Sequence, residues 1–239
     1  MVDETLDPGL AAFEETRRKR ERELDEMPLT QLAEAVASDS AQHVEPFNSA
    51  AVRELKGRGP EVAKELVSNL REPDARSLLG LLTLLEINPT IYRTLDPDFR
   101  YRVLTEGLKT ATFFNAWGVP HLFLDQPAGR AIVCEDSGIE KYLYTLLNDD
   151  RPAQIWGGSE LAEDVAEYNY RIMDYAWALI LANRDQPLPD VADPGKRSEE
   201  IAKLSKKPPN SARARATLSR NEICNRYAPQ QPATTAAAK

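Results

Sequence analysis

Glu61-Val62-Ala63-Lys64-Glu65-Leu66-Val67-Ser68-Asn69-Leu70 carries one apolar stripe at helical spacing, and the same stripe returns 77 positions later. Val62, Leu66, Val67 and Leu70 recur as Ile139, Leu143, Tyr144 and Leu147. Each set runs into an acidic, proline-containing break, Arg71-Glu72-Pro73-Asp74 in the first and Asn148-Asp149-Asp150-Arg151-Pro152 in the second. Past each break a greasier helix opens on an arginine: Arg76-Ser77-Leu78-Leu79-Gly80-Leu81-Leu82, and Arg171-Ile172-Met173-Asp174-Tyr175-Ala176-Trp177. The unit is therefore helix, turn, helix, written at least twice.

A pair of this kind cannot cover its own apolar face, so pairs must stack on one another, which is the sequence sign of an α-solenoid. The expected fold is all-α, a short superhelix of about three helix pairs. Asp74 to Ile87 places leucine on nearly every side, which predicts the central core helix. A middle unit follows, bounded by Asn88-Pro89 and Asp96-Pro97, with Phe99, Val103, Leu104 and Leu108 at helical spacing over 98–111. His121 to Leu124 and Ala128 to Glu135 read as short helices. The second helix of the third pair is expected to start at Ser159, to bury Val165, Tyr168, Ile172, Tyr175, Ala176 and Leu179, and to be the longest in the chain. About 18 residues separate the halves of this pair and have no equivalent in the first; insertions in solenoids map to loops, often on the binding face.

Both ends differ from the body. Pro8 to Glu26 is so charged that it reads as a solvated, loosely attached helix, followed by a short amphipathic helix through Leu29, Leu32, Ala33 and Val36. From Asn183 the chain turns proline-rich and then basic, as an extended or disordered tail does. Lys196 to Arg220 sums to +6 within a chain of net charge −8, which leaves −14 elsewhere. An acidic body repels phosphate, so any contact with nucleic acid is expected through the tail alone. The organisation expected is a charged extension over 1–46, a repeat domain over 47–183 and a tail over 184–239.

In 239 residues, 42% of them hydrophobic, there is material for one sizeable core. The longest apolar runs, Leu78 to Leu85 and Ala176 to Ala182, fall short of the roughly 20 residues that cross a bilayer, so no membrane contact is expected. The first thirty residues lack the apolar stretch of a secretory signal. Cys134 and Cys224 are too few and too far apart to read as a disulfide framework or structural zinc site. A reducing, cytoplasmic setting is the resulting expectation.

The stretch from Gly59-Pro60-Glu61 through Leu70-Arg71-Glu72-Pro73-Asp74-Ala75-Arg76 resembles the turn and helix pair of a HEAT repeat. It has a glycine turn, a leucine-striped first helix, an acidic-proline turn and an arginine opening the second helix. The resemblance spans Phe47 to Ala182, closest in the first pair and weakest in the middle one, where Phe113 to Pro120 and Pro127 break the spacing. It implies a scaffold for protein partners; a minority of such domains bind nucleic acid, and some attach bilin chromophores to phycobiliproteins. The repeat pattern carries no catalytic residue and no cofactor.

Candidate chemistry is sparse. His121, Asp125, Cys134, Glu135 and Asp136 are the residue types of a metal or nucleophile cluster, but helical spacing does not put them on one face. Tyr168, Tyr170, Arg171, Asp174 and Tyr175 are expected on one helix, Arg171 bracing Asp174 as Arg76 braces Asp74. Trp117 and Trp156 lie in glycine-bearing loops; with His121 they form either a partner-binding edge or plugs between repeats. Lys206, Lys207, Arg213 and Arg215 are the basic residues that would contact a partner from the tail.

Overall fold

The computed structural model describes residues 8–39, 49–59, 61–112, 114–153, 165–207 and 224. Among them the fold is all-α: eleven α-helices, with only two isolated bridges, Val119 with Phe123 and Pro152 with Arg171, in extended pairing. The helices are α1 (Pro8–Asp25), α2 (Leu29–Asp39), α3 (Ala50–Gly57), α4 (Val62–Asn69), α5 (Leu78–Ile87), α6 (Pro89–Thr94), α7 (Pro97–Thr110), α8 (Pro127–Cys134), α9 (Glu140–Leu143), α10 (Ile172–Asn183) and α11 (Pro194–Ser205). Short 3-10 turns at Ser137–Ile139 and Tyr144–Leu146 extend α9 at both ends.

Local chemistry sets where these helices begin. Proline occupies the first turn of α6, α7, α8 and α11, where its missing N–H costs nothing. Asn88, Asp96 and Asp193 precede three of those prolines and accept from the backbone N–H groups of Ile91, Phe99 and Lys196 at 3.0, 3.3 and 3.0 Å.

The apolar stripes then decide the packing. Val62 and Leu66 are buried, and so are their echoes Ile139 and Leu143; Leu147 is buried where its counterpart Leu70 is half-buried. On α5, Leu79, Leu81, Leu82 and Leu84 are all buried, and this helix touches α2, α3, α4, α6, α7 and α8. Helix α4 packs on α5, α7 on α8 and α9 on α10, while α5 meets α8, α8 meets α10 and α7 meets α9. Helix α2 lies on α3 and α4. Core residues occur on both sides of the boundaries expected at 46 and 183: Leu24, Leu32 and Val36 before them, Ile201 and Leu204 after.

The two acidic turns after α4 and α9 share a side-chain device. Arg76 binds Asp74 through its backbone N–H at 3.0 Å and its guanidinium at 2.7 and 2.9 Å. Arg151 binds Asp149 through the same groups at 3.3, 2.6 and 2.9 Å. The structural counterpart of Arg76 is thus Arg151 rather than Arg171.

Several expectations are corrected. The helix expected from Ser159 through Leu179 is interrupted after Ala166, which is helical, and α10 starts at Ile172; Ser159 lies outside the described residues. Asn169 is left-handed, with φ of 45°, and Arg171 is extended, so the helical Val165 and the turn residue Tyr168 precede the break. The longest described helix is α1, with 18 residues. His121 to Leu124 forms a tight turn closed by the Val119 and Phe123 bridge, not a helix. Helix α1 is held at its end, because Arg58 donates to the carbonyls of Leu24, Asp25 and Met27 at 2.7, 2.6 and 2.9 Å. The stretch Pro194–Ser205, expected as extended tail, is helix α11. Cys134 and Cys224, expected as separate thiols, are joined by a disulfide, which removes the argument for a reducing compartment. No helix among the described residues is long and apolar enough to cross a membrane.

Two glycines are fixed by close approach. Gly118 has φ of +95°, and a Cβ on Gly129 would strike the carbonyl oxygens of Trp117 and Leu124, so the 117–124 turn lies directly against α8. We therefore expect Gly129→Ala to lower unfolding free energy by about 3 kcal/mol in urea titration. Gly57→Ala, with nothing within 4 Å of the new methyl, should leave it within about 0.5 kcal/mol.

The hydrogen bond from Arg76 holds the Asp74 carboxyl below its ordinary value, and the bond from Arg151 does the same for Asp149. A depressed folded pKa gives stability that is present above the unfolded value, about 3.9, and is lost as pH falls through the folded one. Carboxyl NMR should place both midpoints below that value, and Arg76→Ala or Arg151→Ala should raise the one midpoint each serves. Equal midpoints in native and variant chains would contradict the pairing.

Candidate functional site

One file of aromatic rings runs from the core to the surface. Trp117 and Phe114 have ring centroids 5.8 Å apart, and Phe114 lies 4.7 Å from Tyr175. Tyr175 meets Tyr170 edge-on at 5.9 Å, Tyr170 stacks on Tyr168 at 5.2 Å, and Tyr168 stacks on His121 at 4.0 Å with an 8° tilt. Trp117, Phe114, Tyr175 and Tyr170 are buried, whereas His121 and Tyr168 are half-buried.

Three segments bring these rings together. The left-handed Asn169 turns the chain so that Tyr168 and Tyr170 flank one another on the same side. Ala153 N–H donates to the Tyr170 carbonyl at 2.7 Å, and Ile172 N–H donates to the Arg151 carbonyl at 3.0 Å, which pins 151–153 alongside 170–172. Tyr175 donates its hydroxyl to the Gly118 carbonyl at 2.8 Å, tying α10 to the turn that carries His121. His121 Nδ1 and the Tyr170 hydroxyl are 2.6 Å apart.

Behind the stack lies a buried ionic knot. The Asp174 carboxylate, fully buried, is bonded by Arg171 at 2.9 and 3.0 Å, and Arg197 of α11 comes within 3.1 Å. Arg197 is itself 1% exposed and also donates to the carbonyls of Val191, Ala192, Tyr168 and Asn169, with its guanidinium 5.1 Å from the Tyr170 ring centre. Asp174 also accepts the Arg171 backbone N–H at 2.9 Å, so one carboxylate starts α10 and anchors α11.

The phenols here stay protonated well into alkali. A hydrogen bond to Asp190, 2.7 Å away, raises the pKa of Tyr168, and burial raises those of Tyr170 and Tyr175. None of them offers a phenolate at neutral pH. The outer end of the file carries the His121 and Tyr168 rings, with Leu122, 50% exposed, next to His121 in the chain, Asp190 bonded to Tyr168, and Asp125 and Glu167 exposed on the flanking segments.

No family model, curated protein or solved structure matches the chain.

Of the residues named from sequence, His121 reaches this surface. Trp117 does not: at 3% exposure it is a core ring, and its indole N–H has no hydrogen-bond partner among the described residues. Trp156, Arg213 and Arg215 lie outside the described residues. Lys206 and Lys207 are exposed beyond the end of α11. The other members of the suspected His121 cluster are dispersed: Cys134 is disulfide-bonded, Asp136 caps the next turn, and Glu135 is paired with Arg100 and Tyr92 at 2.9 and 2.5 Å. Among the described residues no group of three ligands could hold a metal ion. Arg171 braces Asp174 as expected, but inside the protein rather than on a helix surface.

Residues missed from sequence were Leu122, Asp190 and Arg197. Leu122 and Asp190 carry no local signal, and Arg197 reads as part of a basic tail because arginine is so rarely buried.

Asp174→Asn leaves two arginines facing a neutral amide. We expect a loss of about 3–5 kcal/mol in chemical denaturation, against less than about 1 kcal/mol for Tyr168→Phe, which breaks only an exposed bond to Asp190. Equal effects would show that the buried pairing does not hold this region.

Proposed function

We propose that this chain is a protein-interaction scaffold built on a HEAT-like stack of helix pairs, with the His121, Leu122 and Tyr168 surface as its docking point. The order of helix contacts carries the stack. α4 with α5, α7 with α8 and α9 with α10 are the pairs; α5, α8 and α10 follow one another as second helices, and α2 with α3 adds a pair at the front. The burial of equivalent residues in α4 and around α9, and the repeated Asp and Arg turn, support the same reading.

The docking point rests on rigidity. A ring stack fixed from behind by Tyr170, Tyr175 and the Asp174 knot loses little entropy when a partner side chain settles on it, which is what an interface anchor needs. The exposed acids Asp125, Glu167 and Asp190 favour a partner segment with basic residues beside an apolar or aromatic one.

Capture with the full chain, compared with its Leu122→Asp variant, tests this. A saturable protein partner whose recovery falls by about tenfold in the variant is expected. Undiminished recovery overturns the docking point. Retention on nucleic acid that disappears when Lys206, Lys207, Arg213 and Arg215 become Gln, with no protein partner, overturns the scaffold reading in favour of a tail-borne nucleic-acid contact.

A further inference from the structure

Helix α1 is anchored through its last turn. Leu24 is fully buried, and Arg58 binds the carbonyls of Leu24, Asp25 and Met27. From Ala11 to Glu23 every side chain is exposed except Glu14 and Arg20, which are half-buried. Arg18 pairs with Glu14, Arg17 with Glu21 and Arg20 with Glu23 at 3.2, 3.9 and 3.8 Å, all open to solvent. Pairs of that kind support a helix only weakly, so a stretch without one buried side chain calls for cover from elsewhere.

An open groove of about 1000 Å³ lies between α1 and α3. A helix about 10 Å across that rises about 1.5 Å per residue takes up roughly 120 Å³ per residue, so the groove admits about two turns of one. Its α1 wall carries Glu14, Glu15, Arg18, Glu21, Arg22 and Asp25, charges of both signs. Their order is self-complementary. Laid antiparallel, with residues 16 and 17 at the centre of the pair, two copies of α1 put Glu15 of each level with Arg18 of the other, and Glu14 of each between Arg18 and Arg22 of the other. Asp25 comes level with the start of the other helix at Pro8, where the macrodipole favours an acid. A parallel pair would instead set each charge beside its own twin.

We infer that this groove is a self-association site, filled by α1 of a second copy of the chain in a two-fold antiparallel pair. It shares no residue with the His121 surface, and the two can fail separately.

Sedimentation velocity on the full chain from about 1 to about 100 µM tests this. A monomer–dimer equilibrium is expected, weakened by added salt. Glu14→Lys with Glu15→Lys sets cations against Arg18 and Arg22, and Arg18→Glu with Arg22→Glu sets acids against Glu14 and Glu15. Each double variant alone should raise the dimer Kd by at least about tenfold. Mixed in equal amounts, the two restore opposite charges across the pair and should bring the dimer back to the native Kd or below it. Phe13→Ser removes an aromatic that is 66% exposed on α1 and does not line the groove, and it should leave the equilibrium unchanged. A single monomeric mass over the whole range overturns the proposal. So do a dimer indifferent to either charge reversal, a mixture that stays monomeric, and a dimer lost on Phe13→Ser, which would put the contact on another face of α1.

Discussion

The buried Asp174 carboxylate is the constraint on which the C-terminal half of this protein depends. Coulomb attraction at 3 Å inside a protein is large, but so is the cost of stripping water from the ions, and the two nearly cancel. What survives is the asymmetry: a pair satisfied on every side is tolerated, and a pair missing one member is not. Asp174 is satisfied by Arg171 in front and by Arg197 from α11, and Arg197 spends its remaining donors on four backbone carbonyls. Moving α11 away would break all of these Arg197 bonds at once. The knot therefore fixes how α11 sits on α10 more than it adds to stability.

The same device recurs at neighbouring steps. Arg100 of α7 meets Glu135 just after α8, with both side chains under 10% exposed, and Arg184 just after α10 meets Glu140 in α9 at 2.6 Å. Each pairing crosses between the two helices of a unit near their ends. Apolar contact along α5, α8 and α10 is non-directional and would accept small slides and rotations. A bidentate guanidinium–carboxylate fork does not. Apolar burial supplies the cohesion and the buried forks supply the register, which is how a stack of short helices, several of only four to eight residues, keeps one geometry.

How far the sequence revealed this follows from which forces are local. The stripes of α4 and α7 and the leucines of α5 could be read directly, because periodicity at 3.6 is a property of a single segment. So could the prolines and Asp or Asn caps, although in the middle unit they looked like breaks and turned out to be helix starts. The false start of α10 had a physical source. Val165, Tyr168 and Ile172 keep helical spacing by coincidence, and one left-handed residue, Asn169, ends the run without any proline or glycine to announce it. Helix α11 was hidden by composition, since its stripe is only Ile201 and Leu204 and its most buried side chain is an arginine. The Cys134–Cys224 bond and the contact of His121 with Tyr168 join residues 90 and 47 positions apart, and no pairing at that range is encoded in spacing.

The aromatic file connects these two halves of the account. Tyr170 has Arg197 on one face and Tyr168 stacked on another, and its hydroxyl meets His121, so the surface rings rest on the same arginine that anchors α11. Tyr175 continues the file inward and holds the Gly118 carbonyl, where the chain makes its positive-φ turn toward His121. The residues that would touch a partner are thus a few ångströms from the ones that set the register of the last helices. A surface built this way is stiff because its support is ionic and buried, and its shape changes only if the knot behind it does. Coupling between α11 and the outer rings then needs no separate pathway: Arg197 belongs to the one and donates to the Tyr168 carbonyl of the other.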